Sequence, residues 1–456
     1  MSSISPDFAN ALDRYEAGDL DRAAELCQAL LQREPSRLDA LNLLGGIAYR
    51  QRDWHLALQY YQTIVRIYPR CAVGYANFAR TLQEIDRLEE AVLLYGEALH
   101  LEENRADWHF NLGNAYWDLG DIDIAIEHFE KTLHLDRDFP EVRGHLALNR
   151  LLKGNFQQGF ADYEGRPARL RLSETFPHPE RIWDGSNEAG KTLLLLCEQG
   201  FGDAIQFVRY VPILKARGAR VLVRCRWPLV RLFETIPGID RVLSIDEALP
   251  NWDAHALLMS LPFLLGTRAD TIPRNVPYLS RLPLDCELDA SLNGTIDLAR
   301  VGLVWSGSPT HRKDRDRSIS FDLVRPLLDI PGFRFYSLQK DPKSEEAKAL
   351  AEDRRICDLS RDLKDFGHTA AIIDRLDLVI AVDTSVAHLA GAMGKPVWVL
   401  LSKIPDWRWG LHDDRSSWYP TMQLFRQSRR GEWDTVLEQV QHALLRRSPQ
   451  REIVWF

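Results

Sequence analysis

A short glycine-rich stretch, Gly200-Phe201-Gly202-Asp203, follows a run of leucines and precedes an apolar-patterned segment. Glycines let the backbone turn sharply where a strand gives way to a helix, and they let a ligand approach the first turn of that helix. A carboxylate at this point can take a proton from an attacking hydroxyl, or it can cap the helix by accepting hydrogen bonds from free backbone amides. The residues alone leave both roles of Asp203 open.

A second polar group begins where an apolar strand ends, at Asp383, and continues through Thr384 and Ser385 to His388. Hydroxyls and amides at the positive end of a helix can hold a diphosphate, and a protonated imidazole can donate to it. The alternative is helix capping by Asp383 or Thr384, with His388 on the helix surface. The combination of strand end, hydroxyls and an early histidine favours diphosphate binding.

Ser306 and Gly307 follow another predicted strand, at 301–305, and precede a basic loop. The cations of this loop are Arg312, Lys313, Arg315 and Arg317. Cations can offset the charge of a leaving diphosphate. Each of them alone is typical of a solvated loop, but a cluster at the carboxyl end of a strand indicates a loop that faces phosphate.

An aromatic stretch near the end of the chain contains Trp407, Arg408 and Trp409. Aromatic rings stack on sugars or on a nucleobase, and arginine pairs with phosphate. The tryptophans could equally fix the interface between two domains. The sequence leaves these two interpretations open.

These motifs belong to a region where short apolar strands alternate with helical segments. The predicted strands are 192–197, 220–225, 241–245 and 255–258, then 301–305, 333–338, 355–357, 378–382 and 397–401, and a helix at 433–445 closes the chain. Such alternation predicts parallel sheets flanked by helices, here two doubly wound domains at 191–290 and 291–456. Ligands of such domains bind in the crevice at the carboxyl ends of the strands. Residues 167–190, rich in proline, are predicted to be a linker.

The first part of the chain, residues 1–166, repeats with a period of 34 residues. Small residues recur at Ala23, Ala57, Ala91 and Ala125, larger ones four positions later at Cys27, Tyr61, Tyr95 and Phe129, and turn residues at Gly18, Asp86 and Gly120. This pattern resembles the tetratricopeptide repeat. It predicts four helical hairpins and a partial fifth, capping one, stacked into a solenoid whose concave face binds peptides or proteins.

Composition excludes several classes of protein. The chain has 456 residues and a net charge of −8, so a long basic surface for nucleic acid is not expected. The six cysteines show no C-x-x-C pair, and no run of about 18 apolar residues predicts a transmembrane segment. Because the start of the chain also lacks a signal-like pattern, we expect a cytoplasmic protein.

The region 190–450 resembles glycosyltransferase family nine, the lipopolysaccharide heptosyltransferases, through its Gly-Phe-Gly-Asp and Asp-Thr-Ser-Val-Ala-His motifs and the Ala-Gly-Ala-Met-Gly-Lys-Pro stretch at 390–396. The resemblance implies a GT-B fold of two Rossmann-like domains, with the acceptor mostly on the first and the nucleotide sugar mostly on the second. It makes Asp203 the general base, beside an acceptor-side loop containing Gly200, Gly202 and Gln206. The residues it implies for the donor diphosphate are Ser306, Gly307, Arg317, Lys340, Asp383, Thr384, Ser385 and His388.

Two departures from the family pattern concern this donor set. Arg317 lies about where the family places a phosphate-binding lysine, and Ser385 replaces a common glycine. Arginine keeps the charge of lysine but changes its reach.

The resemblance implies inverting transfer of a sugar, such as a heptose, from a nucleotide-diphosphate sugar to a hydroxyl, with no metal and no cofactor. The order of solenoid and GT-B module resembles the layout of protein O-linked N-acetylglucosamine transferase, which suggests a polypeptide acceptor recruited by the solenoid. The alternative is a scaffold protein whose GT-B module binds nucleotide sugar without turning it over. The sequence does not identify the sugar, the base or the acceptor.

Overall fold

A computed structural model describes residues 5–139, 141–283, 298–311 and 313–447. The chain divides into two compact units, Met1–Asn149 and Arg150–Phe456. The first is helical, and the second contains two parallel sheets flanked by helices. The predicted fold class, a helical solenoid followed by doubly wound α/β domains, is confirmed. Within the described stretches, no helix is both long enough and apolar enough to cross a bilayer.

The first unit is a series of helical hairpins in which each helix packs against the next. Its helices are α1 (Pro6–Glu16), α2 (Leu20–Arg33), α3 (Leu38–Arg50), α4 (Trp54–Ile67), α5 (Ala72–Glu84), α6 (Leu88–Leu101), α7 (Ala106–Leu119), α8 (Ile122–Leu135) and α9 (Val142–Leu152), the last of which runs across the division between the units.

The 34-residue period corresponds to the packing inside each hairpin. The four recurring alanines and the four larger residues that follow them all have no exposed surface. Glycine is required opposite the rings, because a Cβ on Gly45 would lie 2.6 Å from the ring of Tyr61, and a Cβ on Gly113 would lie 2.8 Å from that of Phe129. The repeated residues therefore mark the positions where the two helices of each hairpin touch.

The hairpin turns repeat as well, because the turn residue has a left-handed backbone in every copy. The φ angle is +83° at Gly18, +62° at Arg52, +65° at Asp86, +95° at Gly120 and +80° at Gly154. Glycine adopts this conformation freely, whereas Arg52 and Asp86 adopt it against the steric preference of a side chain.

The second unit begins with α10 (Phe156–Tyr163) and a four-stranded parallel sheet. Its strands are β1 (Thr192–Leu196), β2 (Arg220–Cys225), β3 (Arg241–Ser244) and β4 (Ala254–Leu257), in the order β3-β2-β1-β4. Its helices are α11 (Pro167–Leu170), α12 (Leu172–Thr175), α13 (Phe201–Phe207), α14 (Val211–Ala216), α15 (Val230–Phe233) and α16 (Leu261–Leu264), with 3₁₀ turns at Pro179–Arg181, Val208–Tyr210, Trp227–Leu229 and Leu258–Ser260.

A six-stranded parallel sheet follows, in the order β10-β9-β8-β5-β6-β7. Its strands are β5 (Ala299–Val304), β6 (Phe333–Ser337), β7 (Ile356–Asp358), β8 (Leu378–Val382), β9 (Val397–Leu401) and β10 (Met422–Arg426). Its helices are α17 (Asp314–Arg317), α18 (Phe321–Val324), α19 (Ser344–Glu352), α20 (Phe366–Asp374), α21 (Ser385–Ala392) and α22 (Asp434–Arg447), with 3₁₀ turns at Arg325–Asp329 and Trp407–Trp409. Strand β10 is not among the predicted strands.

The segment between the repeats and the first sheet differs from the expected linker. Leu172 is buried in one apolar cluster with strand residues Leu194 and Leu257. Trp183 is buried too, and its backbone N–H donates to the carbonyl of His255. The compact units divide between residues 149 and 150 rather than at 166, so α10, predicted to cap the solenoid, is part of the second unit.

Candidate active site

The carboxyl ends of β5 and β8 meet at the middle of the six-stranded sheet. From β5 the chain moves to β6 and β7 on one side, then returns to β8, β9 and β10 on the other. Neighbouring strands whose connections leave in opposite directions form a crevice, the usual ligand site of such sheets. Ser306 and Gly307 follow β5, and Asp383 and Thr384 follow β8, so the structure brings these two predicted motifs to one edge.

Helix α13 of the first sheet lies directly on the first turn of α21. A Cβ added to Gly202 would lie 2.8 Å from Cδ2 of His388 and 3.5 Å from Cα of Ser385. Glycine is therefore required for the approach of these helices. The Gly-Phe-Gly-Asp motif and the diphosphate motif, far apart in the chain, share one site.

Asp203 uses its two carboxylate oxygens differently. One oxygen, Oδ2, accepts a hydrogen bond of 2.8 Å from the backbone N–H of Gly200. The other, Oδ1, accepts a charge-assisted hydrogen bond from the guanidinium of Arg408. The capping contact that the sequence left open is thus formed, while the second oxygen faces a group from the other sheet.

Arg408 is a buried cation held between the two sheets. It donates to Asp203 and to the side-chain carbonyl of Gln206 in α13, and at 2.8 Å to Asp406 beside it. Burial alone would lower the pKa of Arg408, but the carboxylates of Asp406 and Asp203 outweigh burial and raise it. The guanidinium is therefore charged at every physiological pH, and besides binding carboxylates it lies over the ring of Trp407, 4.5 Å from the ring centroid.

His388 is buried and neutral. Its Nδ1 lies 3.0 Å from the hydroxyl of Tyr419, its Nε2 lies 4.0 Å from Oδ1 of Asp383, and its ring stacks on Trp409. Burial lowers the pKa of His388 well below the usual value, and the positive charge of Arg408 lowers it further. The expectation of a protonated imidazole is therefore corrected. In the tautomer in which the Tyr419 hydroxyl donates to Nδ1, Nε2 carries the proton and can donate to a ligand.

The start of α21 has polar groups without partners. Thr384 is the residue before the helix, and its Oγ1 is buried with no hydrogen-bond partner among the described residues. No side chain caps the helix there. Burial, with the nearby carboxylate of Asp406, raises the pKa of Asp383 to about 6. Free donors at a helix N-terminus suit an anion, whereas an ionised Asp383 opposes one.

Arg317 joins the site, whereas Lys340 is placed differently. The Arg317 guanidinium donates to the backbone carbonyl of Asp383 at 2.9 Å and lies against Gly307, where a Cβ would come within 2.6 Å of its Cζ. Lys340 instead donates to the carbonyl of Leu363 at 2.8 Å. Arg312 lies outside the described residues.

Trp407 and Trp409 are buried, with 4% and 2% of their surface exposed. The Trp407 ring packs against Phe160 of α10 and Phe207 of α13, whereas Trp409 packs on His388. These contacts favour the interface interpretation over stacking on a sugar or base.

Sequence reasoning missed two buried residues that organise the site. Gln339 accepts from the backbone N–H of Ser306 at 3.0 Å and donates to its carbonyl at 3.1 Å, which fixes the turn after β5. Arg209 donates to the carbonyl of Trp418 at 2.8 Å and so ties the first sheet to the second. Gln339 could have been found from its position directly after a strand that neighbours β5, whereas Arg209 shows no local signal.

Within the part of the chain that the structure describes, no three His, Cys, Asp or Glu side chains are grouped so that they could hold a metal ion.

Family models match both parts of the chain. Tetratricopeptide-repeat models match residues 8–70, 84–120 and 106–139, and the model of glycosyltransferase family 9 (heptosyltransferase) matches residues 333–417. The chain therefore has tetratricopeptide repeats in its N-terminal region and a glycosyltransferase family 9 domain in its C-terminal region. The repeats indicate interaction with proteins, and the glycosyltransferase family 9 domain indicates a nucleotide-sugar donor.

Two curated relatives match this chain over very different lengths. Protein FlbA of Caulobacter vibrioides is 26% identical over 95% of this chain and 83% of its own length. The probable UDP-N-acetylglucosamine–peptide N-acetylglucosaminyltransferase SEC of Arabidopsis thaliana is 31% identical over 19% of this chain and 9% of its own length. Among solved structures, MamA aligns with a TM-score of 0.34 and 20% identity, covering 38% of this chain and 99% of MamA.

The family 9 match contains only part of the site. Asp383, His388 and Arg408 lie inside residues 333–417, whereas Asp203 and Arg317 lie outside. The family 9 model therefore matches the part of the chain that contains Asp383, His388 and Arg408, and it does not extend to Asp203 or Arg317.

Proposed function

We propose that this protein is an inverting, metal-independent glycosyltransferase that moves a sugar from a nucleotide-diphosphate sugar to a hydroxyl of a polypeptide. One observation supports this above all: the helix carrying Asp203 packs on the helix whose N-terminus has the unpartnered Thr384 hydroxyl. A carboxylate and an anion site thereby meet at one crevice. The cytoplasmic location that the sequence analysis predicts is part of the proposal.

The donor diphosphate would lie at the start of α21. Thr384 supplies a buried hydroxyl, and the free helix end supplies backbone N–H groups. The neutral His388 donates through Nε2, and Arg317 adds a positive charge next to Asp383. These groups can offset the charge of the leaving diphosphate without a metal ion or cofactor.

The reaction needs Asp203 to be released from Arg408. While Oδ1 accepts a hydrogen bond from the guanidinium of Arg408, that oxygen is not free to take a proton from an acceptor hydroxyl. We infer that a bound diphosphate takes over Arg408, which leaves Oδ1 of Asp203 free. Asp203 then accepts the proton of the acceptor hydroxyl, and the hydroxyl oxygen forms a bond to the anomeric carbon of the sugar. The bond between that carbon and the diphosphate oxygen breaks, and its electron pair remains on the diphosphate.

A polypeptide acceptor is supported by the repeats and by one relative. The name of the Arabidopsis protein states transfer to a peptide, and the similarity covers a small part of both chains. The description of the family model supports heptose as the sugar, with a hexose as the alternative.

The test is consumption of a donor by the purified full chain. We expect one member of a panel of UDP-, GDP- and ADP-sugars, including ADP-heptose, to release free nucleoside diphosphate, with a chelator making no difference. Asp203→Asn should lower that rate by about 10²–10⁴-fold, as expected for loss of a general base. The matched control is Asp246→Asn, because Asp246 is an exposed aspartate of the same sheet region.

The buried ion pair of Asp203 with Arg408 favours a second candidate, a scaffold that binds nucleotide sugar without turnover. In that case the wild type and Asp203→Asn would bind a donor with similar affinity, and neither would consume it. Such a result would replace the enzyme with the scaffold.

A further inference from the structure

A cavity of 280 Å³ opens at the carboxyl edge of the four-stranded sheet. It lies at the point where β1 and β4 are neighbours and their connections diverge, the same topological position that the donor site has in the other sheet. Leu196 and Leu257 form its floor, and Leu172 and Phe176 of the predicted linker form a wall. The cavity therefore exists only because this segment packs on the sheet.

Two polar side chains that line this cavity, Glu198 and Arg224, each have one atom without a partner in the described part of the chain, although Glu198 is paired with Arg166 and Arg224 also donates to the carbonyl of Ile245. Glu198 has a side chain only 9% exposed, and its Oε1 accepts a 2.9 Å hydrogen bond from Arg166. Its Oε2 is buried with no partner within the described ranges, and so is Nε of Arg224. Buried polar atoms without partners are costly, so a ligand that pairs with them gains affinity.

The charges around the cavity restrict the ligand. A hydrogen-bond donor is needed for Oε2 of Glu198, and an acceptor is needed for Nε of Arg224. An ammonium group would be repelled by Arg166, Arg171 and Arg224, whereas a carboxylate would be repelled by Glu198. A neutral group that both donates and accepts, carried on an apolar stem, fits all of these conditions.

We propose that this cavity is a specificity subsite that takes an uncharged side chain of the acceptor polypeptide, either the phenol of tyrosine or the carboxamide of glutamine or asparagine. That the bound polypeptide is an acceptor rests on the proposed function. Glu198 lies in the loop between β1 and α13, two residues before the Gly200 of the Gly-Phe-Gly-Asp motif. The loop that lines the subsite therefore leads directly into the helix that carries the proposed base.

The first experiment uses small stand-ins for side chains and needs no donor. Binding of p-cresol, propionamide, toluene, butyrate and butylamine to the full chain is followed by ligand-observed saturation-transfer NMR. We expect p-cresol and propionamide to bind saturably and the two charged fragments to bind at least tenfold more weakly. Equal binding of toluene and p-cresol would show an apolar cavity without polar recognition, and no binding at all would show a cavity that holds only water; either result overturns the proposal.

Two variants with matched controls locate the binding. Ala168→Phe fills the rim of the cavity and should abolish p-cresol binding, whereas Ala216→Phe, on the exposed side of α14, should not. Arg224→Met keeps an apolar stem but removes the unpartnered N–H. It should weaken the binding of p-cresol by about tenfold, the value of one hydrogen bond. Arg220→Met, at the exposed start of the same strand, is its control.

Competition then tests the polypeptide source. Blocked short peptides with serine next to tyrosine or glutamine should displace p-cresol, and those with glutamate or lysine there should not. Displacement by methyl glucoside but by no peptide would assign the cavity to a glycan and overturn the proposal. Because none of these measurements involves transfer, they can succeed when no donor is consumed and can fail when one is, which separates this proposal from the proposed function.

Discussion

The solenoid and the glycosyltransferase unit both bury large groups against glycine, but over different distances along the chain. In the solenoid, Gly113 meets Phe129 of the neighbouring helix. In the second unit, Gly202 lies in a helix that flanks one sheet and contacts His388 in a helix that flanks the other. Close packing in the repeats is a property of each hairpin, whereas close packing at the site depends on two domains.

This difference has an energetic consequence. The stability of a solenoid is approximately a sum of repeats and of the interfaces between neighbours, so damage there stays local. At the site, one guanidinium pairs with groups from both sheets, and its loss affects every element that it joins. Substitutions in the two regions can test this distinction.

The largest expected effect is that of Arg408→Met. It leaves the partly buried carboxylates of Asp203 and Asp406 without their cation, and breaking a buried pair in this way costs about 3–5 kcal/mol. Hydrogen exchange of the β8 and β9 amides should report that loss in the free energy of opening. The solenoid control is Arg105→Met, whose ion pair with Asp107 is largely exposed and should cost below about 1 kcal/mol. Equal losses of free energy in the two variants would show that the site and the solenoid do not differ in this way.

A smaller effect is expected for Gly113→Ala. The new Cβ would lie 2.8 Å from the Phe129 ring and 3.3 Å from the carbonyl of Ala125, so overpacking should cost about 1–3 kcal/mol. Hydrogen exchange should show faster opening in α7 and α8 and unchanged protection in β1 and β5. Spread of the change into the sheets would contradict local stability in the repeats.

The charge of Asp383 predicts a pH dependence of donor binding. Its pKa of about 6 means that the carboxyl is neutral below that pH and negative above it. A negative Asp383 opposes the diphosphate, so affinity should fall by up to about tenfold as pH rises from 5 to 7.5, since one pKa unit corresponds to 1.36 kcal/mol. Calorimetry with the donor selected by the panel measures this. Asp383→Asn should bind tightly with no such dependence, and stronger binding at higher pH would exclude this placement of the diphosphate.

The smallest effect has the opposite sign. Gly96 lies inside α6 with no atom within 4 Å of where its Cβ would be. Gly96→Ala should therefore stabilise the solenoid by about 0.5–1 kcal/mol, because alanine loses less backbone entropy in a helix. A rise in the free energy of opening of α5 and α6 amides would confirm this, whereas a fall would reveal a contact that the fold does not show.

The sequence was informative where a contact has a local pattern. The period of 34 residues predicts the buried alanines, the buried rings and the turns, because the two helices of each repeat pack through equivalent positions. Most strands are predicted too, since buried parallel strands are continuous apolar runs. Strand β10 was missed because its residues alternate within a stretch dominated by tryptophan and charge.

The sequence predicted which residues belong to the site better than it predicted which of them contact each other. The approach of Gly202 to His388 follows from two motifs at strand ends, but nothing local shows that Arg408 binds Asp203 or that Arg209 crosses between sheets. Such pairs depend on how two domains face each other. The packing of residues 167–183 on the first sheet was missed for the same reason.

The order of the partners along the chain matters during synthesis. A ribosome makes Asp203 and its helix long before it makes Arg408, which pairs with that carboxylate, or Tyr419, which contacts His388. A nascent chain that has emerged only as far as α21 therefore has a carboxylate without its cation and a histidine without its phenol. Assembly of the crevice waits for nearly the last fifty residues, so premature termination there would yield a folded solenoid attached to an unassembled site.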